Sequence, residues 1–472
     1  MKKINNITPF KEDIAKWYSD LVLQSDLISY APVKGTMFFK PQGFAIWNLI
    51  KNQLTELLIE VGVEEVIFPL LFPMSFLVKE KNHVEGFAPE VLVVTRVGEK
   101  EFNDPLVIRP TSETLFGTFF KENLSSYKQL PMKLNQWCSV IRWESNTRPF
   151  LRNSEFFWQE GHTMHATLED TKDFTTIIID LYENFLQDYL LLPVIKGEKT
   201  IGERFAGADH TFTVETILKD GQALQSGTSH NLGNNFAKAF DVKVLGVDNK
   251  MYYPFQTSWA VSTRLIGALI MTHSDDRGLV MPSKIAPQEV VIMTLFADKN
   301  PQILKEATKI LKKLKGNRIK IDDSNKGIGY KAQEWETKGV PIRIELGPRD
   351  LEKEEVTIAL RTEPKKFTIS LEKLTSDYIQ ELLAKNDLNI WTNAKKLKDN
   401  RIQKATTLKK VKELILSGKV AEVYWNEDAK IEAELKEEYG ATIRCIIKVK
   451  KEGKCIHSQL KTYNVAIIAR AY

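Results

Sequence analysis

Apolar residues recur at helical spacing in two segments near the start of the chain. Lys11 to Leu23 has the pattern of a short amphipathic helix. A longer helix is predicted to begin near Pro41, since proline suits a first helical turn, and to end at Gly62. Glu65 to Leu71 is then predicted as a strand closed by Pro69 and Pro73.

The next part of the chain is dominated by strand-like runs. Between Val91 and Phe157 these runs are VLVVTRV, PLVIRP, KLNQWCSVIRWE and SEFFWQE. A helix is predicted for Thr171 to Leu190, and the runs TFTVETIL and QALQSG flank a turn at Lys219-Asp220-Gly221. The pattern of residues 1–284 therefore predicts an α+β domain, an antiparallel sheet with flanking helices.

The pattern changes at Lys284 to Pro287, where strands begin to alternate with helices. The strands VVIMTL, RIKI, VPIRIEL and VTIALR are interleaved with a helix around residues 303–314 and another before Lys338, which predicts a small α/β domain over residues 285–372. A basic stretch from Lys395 to Lys412, helical in pattern, leads into a last module that ends at Tyr472. Residues 373–472 are therefore predicted as a linker helix and a small α+β domain.

Composition places the chain among folded globular proteins, with 43% hydrophobic and 27% charged residues in 472. No run approaches the ~18 apolar residues of a membrane span, and MKKINNITPFKED has no apolar segment behind its lysines, so we expect no secretory signal. Cysteines are only three, Cys138, Cys445 and Cys455, which favours a reducing cytoplasm.

Charge is unevenly distributed along the chain. From Lys373 to Tyr472 there are 20 Lys and Arg against 13 Asp and Glu, a balance of +7, whereas the whole chain carries +5. A basic tail on a near-neutral body suggests a polyanionic partner, and a solvated lysine-rich helix explains the same charges equally well.

Several segments place an arginine, a carboxylate, a hydroxyl or a histidine beside large aromatic residues. They are Arg109–Glu113, Ile141–Glu144, Ser154–His162, Gln225–His230 and Ser258–Arg264. Guanidinium groups bind phosphate or carboxylate bidentately, and aromatic rings can stack on a base. None of these segments is diagnostic alone, because a surface ion pair explains Arg142 and Glu144, and His162 and His165 lack further zinc ligands.

Taken in order, the segments resemble class II aminoacyl-tRNA synthetases, specifically prolyl-tRNA synthetases of the archaeal and eukaryotic type. The resemblance covers essentially the whole chain. The family's three motifs match the long helix with the strand at Pro69, then Arg142-x-Glu144 followed by Arg152-x-x-x-Phe156, then Ser262-Thr263-Arg264. The prolyl-specific strings are RPTSET, FLRNSEFFWQEGHT, FAGADHT and QSGTSHNLGNNFAKAFD.

The resemblance implies a class II catalytic fold and an enzyme that activates L-proline with ATP to prolyl-adenylate. The prolyl group is then transferred to the 3′ end of tRNA(Pro), with AMP and pyrophosphate released. Arg142 and Arg264 are the implied catalytic residues, and the chain is expected to form a homodimer. The implied ATP-binding residues are Arg142, Glu144, Arg152, Asn153, Ser154, Phe156, Gln225, Thr228, Ser262 and Arg264. The implied proline-binding residues are Thr111, Glu113, Arg142, Trp158, Glu160, His162, Phe205 and His230. Mg²⁺ is expected with the phosphates, with Glu215 as a protein contact.

The α/β domain resembles the anticodon-binding domain of this subclass, most specifically in GVPIRIELGPRDLEKEEVTIALR. Polar residues inside its strand patterns, Arg343, Glu345 and Arg361, are candidates for reading the anticodon, although exposed strand faces would show the same pattern.

The chain departs from the family at a few positions. In many relatives four cysteines of the last module hold zinc, but here Asn426 follows Trp425 where a cysteine is expected. Only Cys445, Cys455 and His457 remain, so we expect no zinc. Ala260 replaces a usual glycine and Ser154 a common arginine. Only a short stretch separates Glu160 from Ser229, so the editing domain of many bacterial relatives is absent.

Two other functions remain open at this level. A catalytically silent, RNA-binding paralogue would be signalled by loss of Arg142 or Arg264, and both are present. A synthetase for threonine would carry a catalytic zinc set, and the sequence shows none, while Thr111-Ser112-Glu113 with Gly227-Thr228-Ser229-His230 favours proline over threonine or serine.

Overall fold

The computed structural model describes residues 6–81 and 91–472. The helices and strands of the first third are α1 (Ile14–Gln24), β1 (Ile28–Tyr30), β2 (Met37–Phe39), α2 (Pro41–Glu60), β3 (Glu64–Glu65), β4 (Leu71–Pro73), α3 (Met74–Lys81), β5 (Val93–Val97), β6 (Lys100–Ile108) and α4 (Glu113–Asn123). The elements that follow are β7 (Met132–Ile141), β8 (Glu155–His165), α5 (Leu168–Asp188), β9 (Ile195–Glu198), β10 (His210–Ile217), β11 (Ala223–Gly233), α6 (Asn235–Ala239), β12 (Val244–Leu245), β13 (Met251–Tyr252), β14 (Phe255–Ser262) and α7 (Arg264–His273).

The remaining elements build two further units. The first has β15 (Val290–Thr294), α8 (Pro301–Lys313), β16 (Ile319–Asp322), α9 (Ile328–Thr337), β17 (Ile342–Leu346), α10 (Pro348–Glu352), β18 (Glu355–Leu360), β19 (Phe367–Ser370) and α11 (Ser376–Arg401). The last, which we call the C-terminal module (residues 402–472), has β20 (Ile402–Lys404), α12 (Leu408–Leu416), β21 (Val420–Tyr424), α13 (Ala429–Tyr439), β22 (Ala441–Lys454) and β23 (Lys461–Arg470).

The long helix α2 forms where the sequence predicts it. Pro41 opens its first turn, and Gly62, in the left-handed region at φ +77°, follows its end and donates its N–H to the Ile59 carbonyl. The side chains of Trp47, Ile50 and Leu54 are buried in the main core, as their helical spacing predicts.

Within the described residues, eleven strands form the central sheet, in the order β20-β21-β23-β22-β9-β10-β11-β14-β8-β7-β3. Neighbours are antiparallel except β3 with β7 and β20 with β21. Helix α5 lies across β10, β11, β14 and β8, and its apolar side is buried against one face of the sheet. The other face of the same strands is therefore free to carry polar side chains.

The strand alternation separates those two faces residue by residue. On β14, Trp259 and Val261 point into the core under α5 and α7, whereas Ser258, Ala260 and Ser262 between them lie on the opposite face. Gly161 of β8 faces Trp259, and a Cβ there would lie 2.0 Å from the indole, so only glycine allows this close packing.

The second sheet has the order β16-β15-β17-β18-β19, with β15 parallel to β16 and β17 and with β18 and β19 antiparallel. One face packs on α8 and the start of α11 through an apolar core. Trp335 of α9 covers part of the other face. This is the α/β arrangement that the alternation of strands and helices predicts.

Three local predictions were wrong. Glu65 to Leu71 is not one strand, because only Glu64–Glu65 and Leu71–Pro73 pair with neighbours. Helix α4 was missed, since its Phe-rich, Gly-containing sequence has low intrinsic helix propensity. It is held by packing: Phe116 is buried, and a Cβ on Gly117 would lie 2.3 Å from Phe240.

The basic stretch from Lys395 to Lys412 is also not one helix. Helix α11 ends at Arg401, where the chain turns into β20 and joins the edge of the central sheet beside β21. Tertiary strand pairing therefore overrides the helical pattern in this stretch.

Arg361, which directly follows β18, joins the second sheet domain to the central one. Its guanidinium donates to both carboxylate oxygens of Asp275 (3.0 and 2.5 Å) and to the carbonyl of Leu279 (2.8 Å), and its side chain is 1% exposed. Although burial raises the pKa of Asp275, its contacts with Arg361 bring it down to about 2. The guanidinium nitrogens of Arg361 all donate to groups inside the protein, a position that disfavours the predicted contact with an anticodon base.

Replacing Arg361 by methionine is expected to lower the free energy of unfolding by about 2 kcal/mol, because Asp275 and the buried carbonyls lose a charged partner. The midpoint of thermal unfolding and the affinity for tRNA would be measured together. Arg349→Met, at an exposed position of the same domain, serves as the control. Weakened tRNA binding with an unchanged unfolding midpoint would contradict a structural role for Arg361 and would favour the anticodon role.

Candidate functional site

A cavity of about 250 Å³ opens on the face of the central sheet opposite α5. It brings together most of the site residues predicted from the sequence, namely Thr111, Glu113, Arg142, Phe156, Trp158, Glu160, His162, Phe205, Gln225, Thr228, His230, Ser262 and Arg264. The lining also contains residues that were not among the predicted ATP- or proline-binding residues: Glu203, Arg204, Thr211, Ser226 and Ser258.

Strand register explains why residues far apart in the chain meet in this cavity. Glu160 of β8, Ala260 of β14 and Thr228 of β11 are directly paired across the three strands. The next row is formed by His162, Ser258 and His230. Side chains in one row lie on the same face of the sheet, so the rows form the floor of the pocket.

Ser258 was missed because a serine inside a strand carries no sequence signal of its own. Its position becomes informative only through the register, which places it between two histidines. Its hydroxyl is buried and has no hydrogen-bond partner among the described residues. A buried, unpaired hydroxyl in a pocket floor is available to a ligand.

Glu160 is the best-ordered carboxylate of the pocket. One oxygen accepts the N–H of Ser112 at 3.1 Å, and the other accepts the amide of Gln136 at 2.7 Å. Burial raises the pKa of Glu160, but its contact with His162 and the donors from Ser112 and Gln136 bring the pKa below its ordinary value. The group is therefore an anion at neutral pH.

Glu113 and His162 complete an acidic corner with Glu160. Glu113 accepts a hydrogen bond from the hydroxyl of Thr111, and His162 stacks on Phe116 with ring centroids 4.1 Å apart. Among the described residues, Glu113, Glu160 and His162 form the one group of side chains whose potential metal-ligating atoms all lie within 4.8 Å of one another. The corner can hold a small cation or an ammonium group.

His230 and Phe205 form the wall beside that corner. The two rings lie 4.7 Å apart, and Nδ1 of His230 is 3.0 Å from the hydroxyl of Thr211. Burial, and to a smaller extent the nearby His162, lowers the pKa of His230 to about 3. At neutral pH this imidazole is uncharged and can line an apolar ring without repelling a cation.

Arg142 stands beside the acidic corner and is held rigidly. Its Nε donates to the carbonyl of Pro110 at 2.8 Å, and its guanidinium lies 5.1 Å from the ring of Trp158 and 5.7 Å from that of Phe156. Burial lowers the pKa of Arg142, whereas Glu113, Glu160 and Glu144 raise it. The remaining N–H donors can face a bound anion.

Arg264 is the first residue of α7, so the positive end of the helix dipole adds to its charge. Its Nε donates to the carbonyl of Leu151 at 3.3 Å and Nη1 to that of Gln225 at 3.5 Å. Burial lowers the pKa of Arg264, as do the nearby charges of Arg152 and Arg142. Several cations at this end make it a site for a polyanion such as a triphosphate.

Four predicted ATP-binding residues lie on the loop before β8 and are not part of the cavity lining. Glu144 and Arg152 form a partly exposed ion pair at 3.9 Å. Asn153 lines a different cavity. The hydroxyl of Ser154 is turned toward Gly35, and the main-chain N–H of Ser154 donates to the carbonyl of Gly35. In this loop conformation Asn153 and Ser154 do not face the pocket.

Glu215 does not fit the prediction of a Mg²⁺ contact. One of its oxygens accepts from Lys199 (2.8 Å) and Thr213 (2.9 Å), and the other from two nitrogens of Arg444 (2.9 and 3.1 Å). Burial alone would raise its pKa, yet Lys199 and Arg444 bring it down to about 2. Both oxygens are engaged by cations inside the protein.

The other anticodon candidates are better placed than Arg361. Arg343 and Glu345 lie on β17 with their side chains away from the apolar core of residues such as Ile344. Each exposes 7% of its surface, and Glu345 is paired with Lys366. Their role in reading bases stays a prediction.

The residues left at the expected zinc position have separate partners. The sulfur of Cys455 accepts the N–H of Asn426 at 3.2 Å, and His457 is 2.7 Å from the Asn426 carbonyl. Cys445 lies in another apolar cluster, beside Gly197. That no zinc binds here stays a prediction.

Comparison with known proteins gives the same assignment over the whole chain. Three family models match: "tRNA synthetase class II core domain (G, H, P, S and T)" over residues 96–273, "Anticodon binding domain" over 289–382 and "Prolyl-tRNA synthetase, C-terminal" over 408–472. The proline--tRNA ligases of Mycoplasma mobile and Mycoplasma capricolum are 44% and 45% identical, with 100% of each chain covered. A solved prolyl-tRNA synthetase from Cryptosporidium parvum, complexed with halofuginone and AMPPNP, is 35% identical with a TM-score of 0.94, and all of both chains is covered. The predicted fold class is thereby confirmed.

Proposed function

The chain belongs to the class II prolyl-tRNA synthetases, ligases that activate proline with ATP and charge tRNA with it, and we propose how its pocket divides that work. The observation that carries the proposal is the separation of charge along the cavity. Glu113 and Glu160 lie at one end, Arg264 lies at the other, and Arg142 stands between them. Proline binds at the acidic end and ATP at the basic end, so that their reacting groups meet at Arg142.

Proline is recognised by its ammonium group and by its ring. The two N–H donors of the secondary ammonium face Glu113 and Thr111 on one side and the carboxylate of Glu160 on the other. The apolar ring contacts Trp158 and Phe205, while neutral His230 adds a wall without opposing charge. Charge-assisted hydrogen bonds and a fitted apolar wall together select a cyclic imino acid.

ATP takes the other end of the cavity. Phe156 stacks on the adenine, and Gln225, Thr228 and Ser262 border the nucleotide. Arg264 binds the terminal phosphate, where the N-terminus of α7 adds its dipole. Glu144 and Arg152 reach the nucleotide by a movement of their partly exposed loop, and Asn153 and Ser154 support that loop.

Chemistry takes place beside Arg142. A carboxylate oxygen of proline attacks the α-phosphorus in line, the bond to the β-phosphate oxygen breaks, and pyrophosphate leaves. The guanidinium of Arg142 binds the attacking carboxylate and the α-phosphate together, which reduces their repulsion and aligns them. In the second step the 3′-terminal hydroxyl of tRNA attacks the carbonyl carbon of the adenylate, and AMP leaves.

Mg²⁺, when bound, neutralises phosphate charge. The carboxylates lining the cavity in the described structure are Glu113, Glu160 and Glu203, and none belongs to the arginine end. The first two serve the ammonium group, and Glu203 is ion-paired with Lys436 at 3.1 Å. These residues do not form a protein site for Mg²⁺, so we assign it no ligand of this chain.

We further propose a homodimer in the cytoplasm, where tRNA is charged for translation. Several large apolar side chains between residues 33 and 97 are exposed, as expected for a chain that buries part of this surface in a dimer. They are Val33, Phe38, Phe44, Ile59, Ile67, Leu70, Leu71, Val93 and Val97. None of the described helices is long and apolar enough to span a membrane.

Proline-dependent exchange of pyrophosphate into ATP by the purified protein tests the assignment. We expect strong exchange with proline, weaker but measurable exchange with alanine, and none with threonine. Alanine retains the ammonium and carboxylate contacts, and the missing methylenes are worth only ~1–3 kcal/mol each. We also expect alanyl-tRNA to persist in the presence of the enzyme. Its rapid hydrolysis, compared with a sample lacking enzyme, would contradict the absence of editing in this chain.

A further inference from the structure

The C-terminal module is continuous with the sheet that carries the pocket. Strand β22 pairs with β9 at Ile446 and Glu198, so strands β20 to β23 extend the central sheet instead of forming a separate one. The contact is close: a Cβ on Gly197 would lie 2.6 Å from the Ile446 carbonyl and 2.8 Å from Cys445. Side chains of β22 are therefore held against the strands of the active site.

One of those side chains, Arg444, enters the interior behind the ATP end. It is 7% exposed and donates two hydrogen bonds to the same oxygen of Glu215, at 2.9 and 3.1 Å, while Nη1 donates to Thr442. Lys199, 3% exposed, holds the other oxygen of Glu215. Two cations thus surround a fully buried carboxylate, and the cluster has a net charge of +1.

Glu215 is one strand away from the residues that face ATP. In the pairing of β10 with β11 it lies opposite Gln225, and its neighbour Thr216 shares a hydrogen bond with Ser226 at 2.6 Å. The carbonyl of Gln225 accepts from Arg264. Both charges are close enough to affect the pKa of Arg264, which Arg444 lowers and Glu215 raises.

We propose that Arg444 is a positioning residue for ATP: by occupying the second oxygen of Glu215 it keeps Arg264 aimed at the terminal phosphate. Without Arg444, that oxygen faces the interior with no partner, and Arg264 is a cation near enough to interact with it. The carboxylate would then draw the guanidinium away from the pocket. The C-terminal module, through this one side chain, is part of the active site.

The inference rests on the proposed position of ATP, and kinetics of pyrophosphate exchange test it. Arg444→Met is expected to raise the KM for ATP roughly 10- to 100-fold, since displacing one substrate-binding group by about 1 Å has effects of this size. The KM for proline should change less than threefold, because the acidic corner does not contact this cluster. Adding Glu215→Gln to Arg444→Met removes the carboxylate that has lost one of its two cations and restores the net charge of +1, so most of the ATP affinity should return.

Two further variants complete the experiment. Lys448→Met, an exposed position on the same strand, should leave both KM values unchanged. Arg444→Lys retains the charge and is measured in case the methionine variant does not fold; we expect a severalfold rise in the KM for ATP.

The inference is overturned by a folded Arg444 variant with the parent's KM for ATP, or by a double variant no better than the single one. If the wild-type protein shows no proline-dependent exchange, the proposed function fails instead. The two failures are thus distinguishable.

Discussion

Replacement of Arg142 by alanine is expected to lower the kcat of proline-dependent pyrophosphate exchange roughly 100- to 1,000-fold, the size found when one group that stabilises transition-state charge is removed. Arg142 is fixed by Pro110 and by the ring of Trp158, and it stands between the acidic corner and the arginine end of the cavity. No other described cation is placed to contact both substrates, so the loss should not be compensated. Exchange at saturating ATP and proline measures it directly.

The control for this variant is Arg96→Ala, an exposed arginine of β5 that is remote from the cavity lining. Its exchange rate should equal that of the wild type. Binding of tRNA by Arg142→Ala should also be retained, because the change is confined to the pocket. A folded Arg142→Ala enzyme with substantial exchange would exclude Arg142 from the chemical step and would require another group to bind the attacking carboxylate.

The second large effect is expected for Glu160→Gln. This carboxylate carries the negative charge nearest to the floor of the proline site, and it is held by Ser112 and Gln136. Replacing it by an amide removes the charge that pairs with the proline ammonium. It also places the new NH₂ group opposite the N–H of Ser112 or the amide of Gln136, both of which are donors. We expect a cost of about 3 kcal/mol in proline binding, which corresponds to a rise in KM of roughly 100-fold.

The matched control is Glu203→Gln, a carboxylate that lines the same cavity but is paired with Lys436 at its rim. Its KM for proline should rise less than about threefold, as expected for a solvent-screened ion pair. In the Glu160→Gln enzyme the KM for ATP should stay close to the wild-type value. A parallel rise of both KM values would contradict a specific role in proline recognition and would indicate a distorted pocket.

The pH dependence of proline binding follows from the same carboxylate. The pKa of Glu160 lies below its ordinary value, so its charge is fully present at neutral pH and is lost only as the pH falls through that lowered pKa. His230, with a pKa of about 3, is neutral over the same range. Neither group should therefore alter the KM for proline between pH 6 and pH 8.

Much of the fold could be predicted from local sequence. Helix α2 is bounded by Pro41 and Gly62. Proline suits the first turn because its φ is already helical and it has no N–H to leave unpaired, and glycine suits the end because it readily adopts a positive φ. The α/β domain was predicted because buried parallel strands are short apolar runs that alternate with amphipathic helices. Helix α4 was not predicted, since its residues favour a helix only when Phe116 is buried and Gly117 packs on Phe240.

The sequence by itself also determined which residues were candidates for the site, because motif residues such as Arg142, Glu160 and Arg264 are recognisable by type and order, and the three line one cavity. What it could not determine is which side each polar residue faces. Arg361 and Glu215 both occur in strand patterns, yet the tertiary structure turns both side chains inward. Arg361 is held there by the half-buried Asp275, and Glu215 by the buried Arg444. Conversely, Ser258 lies in the pocket because the strand register pairs it with His162, which its own sequence does not indicate. Local sequence sets the residue types and periodicity, whereas partners distant in the chain decide whether a charge meets a substrate or another charge of the protein.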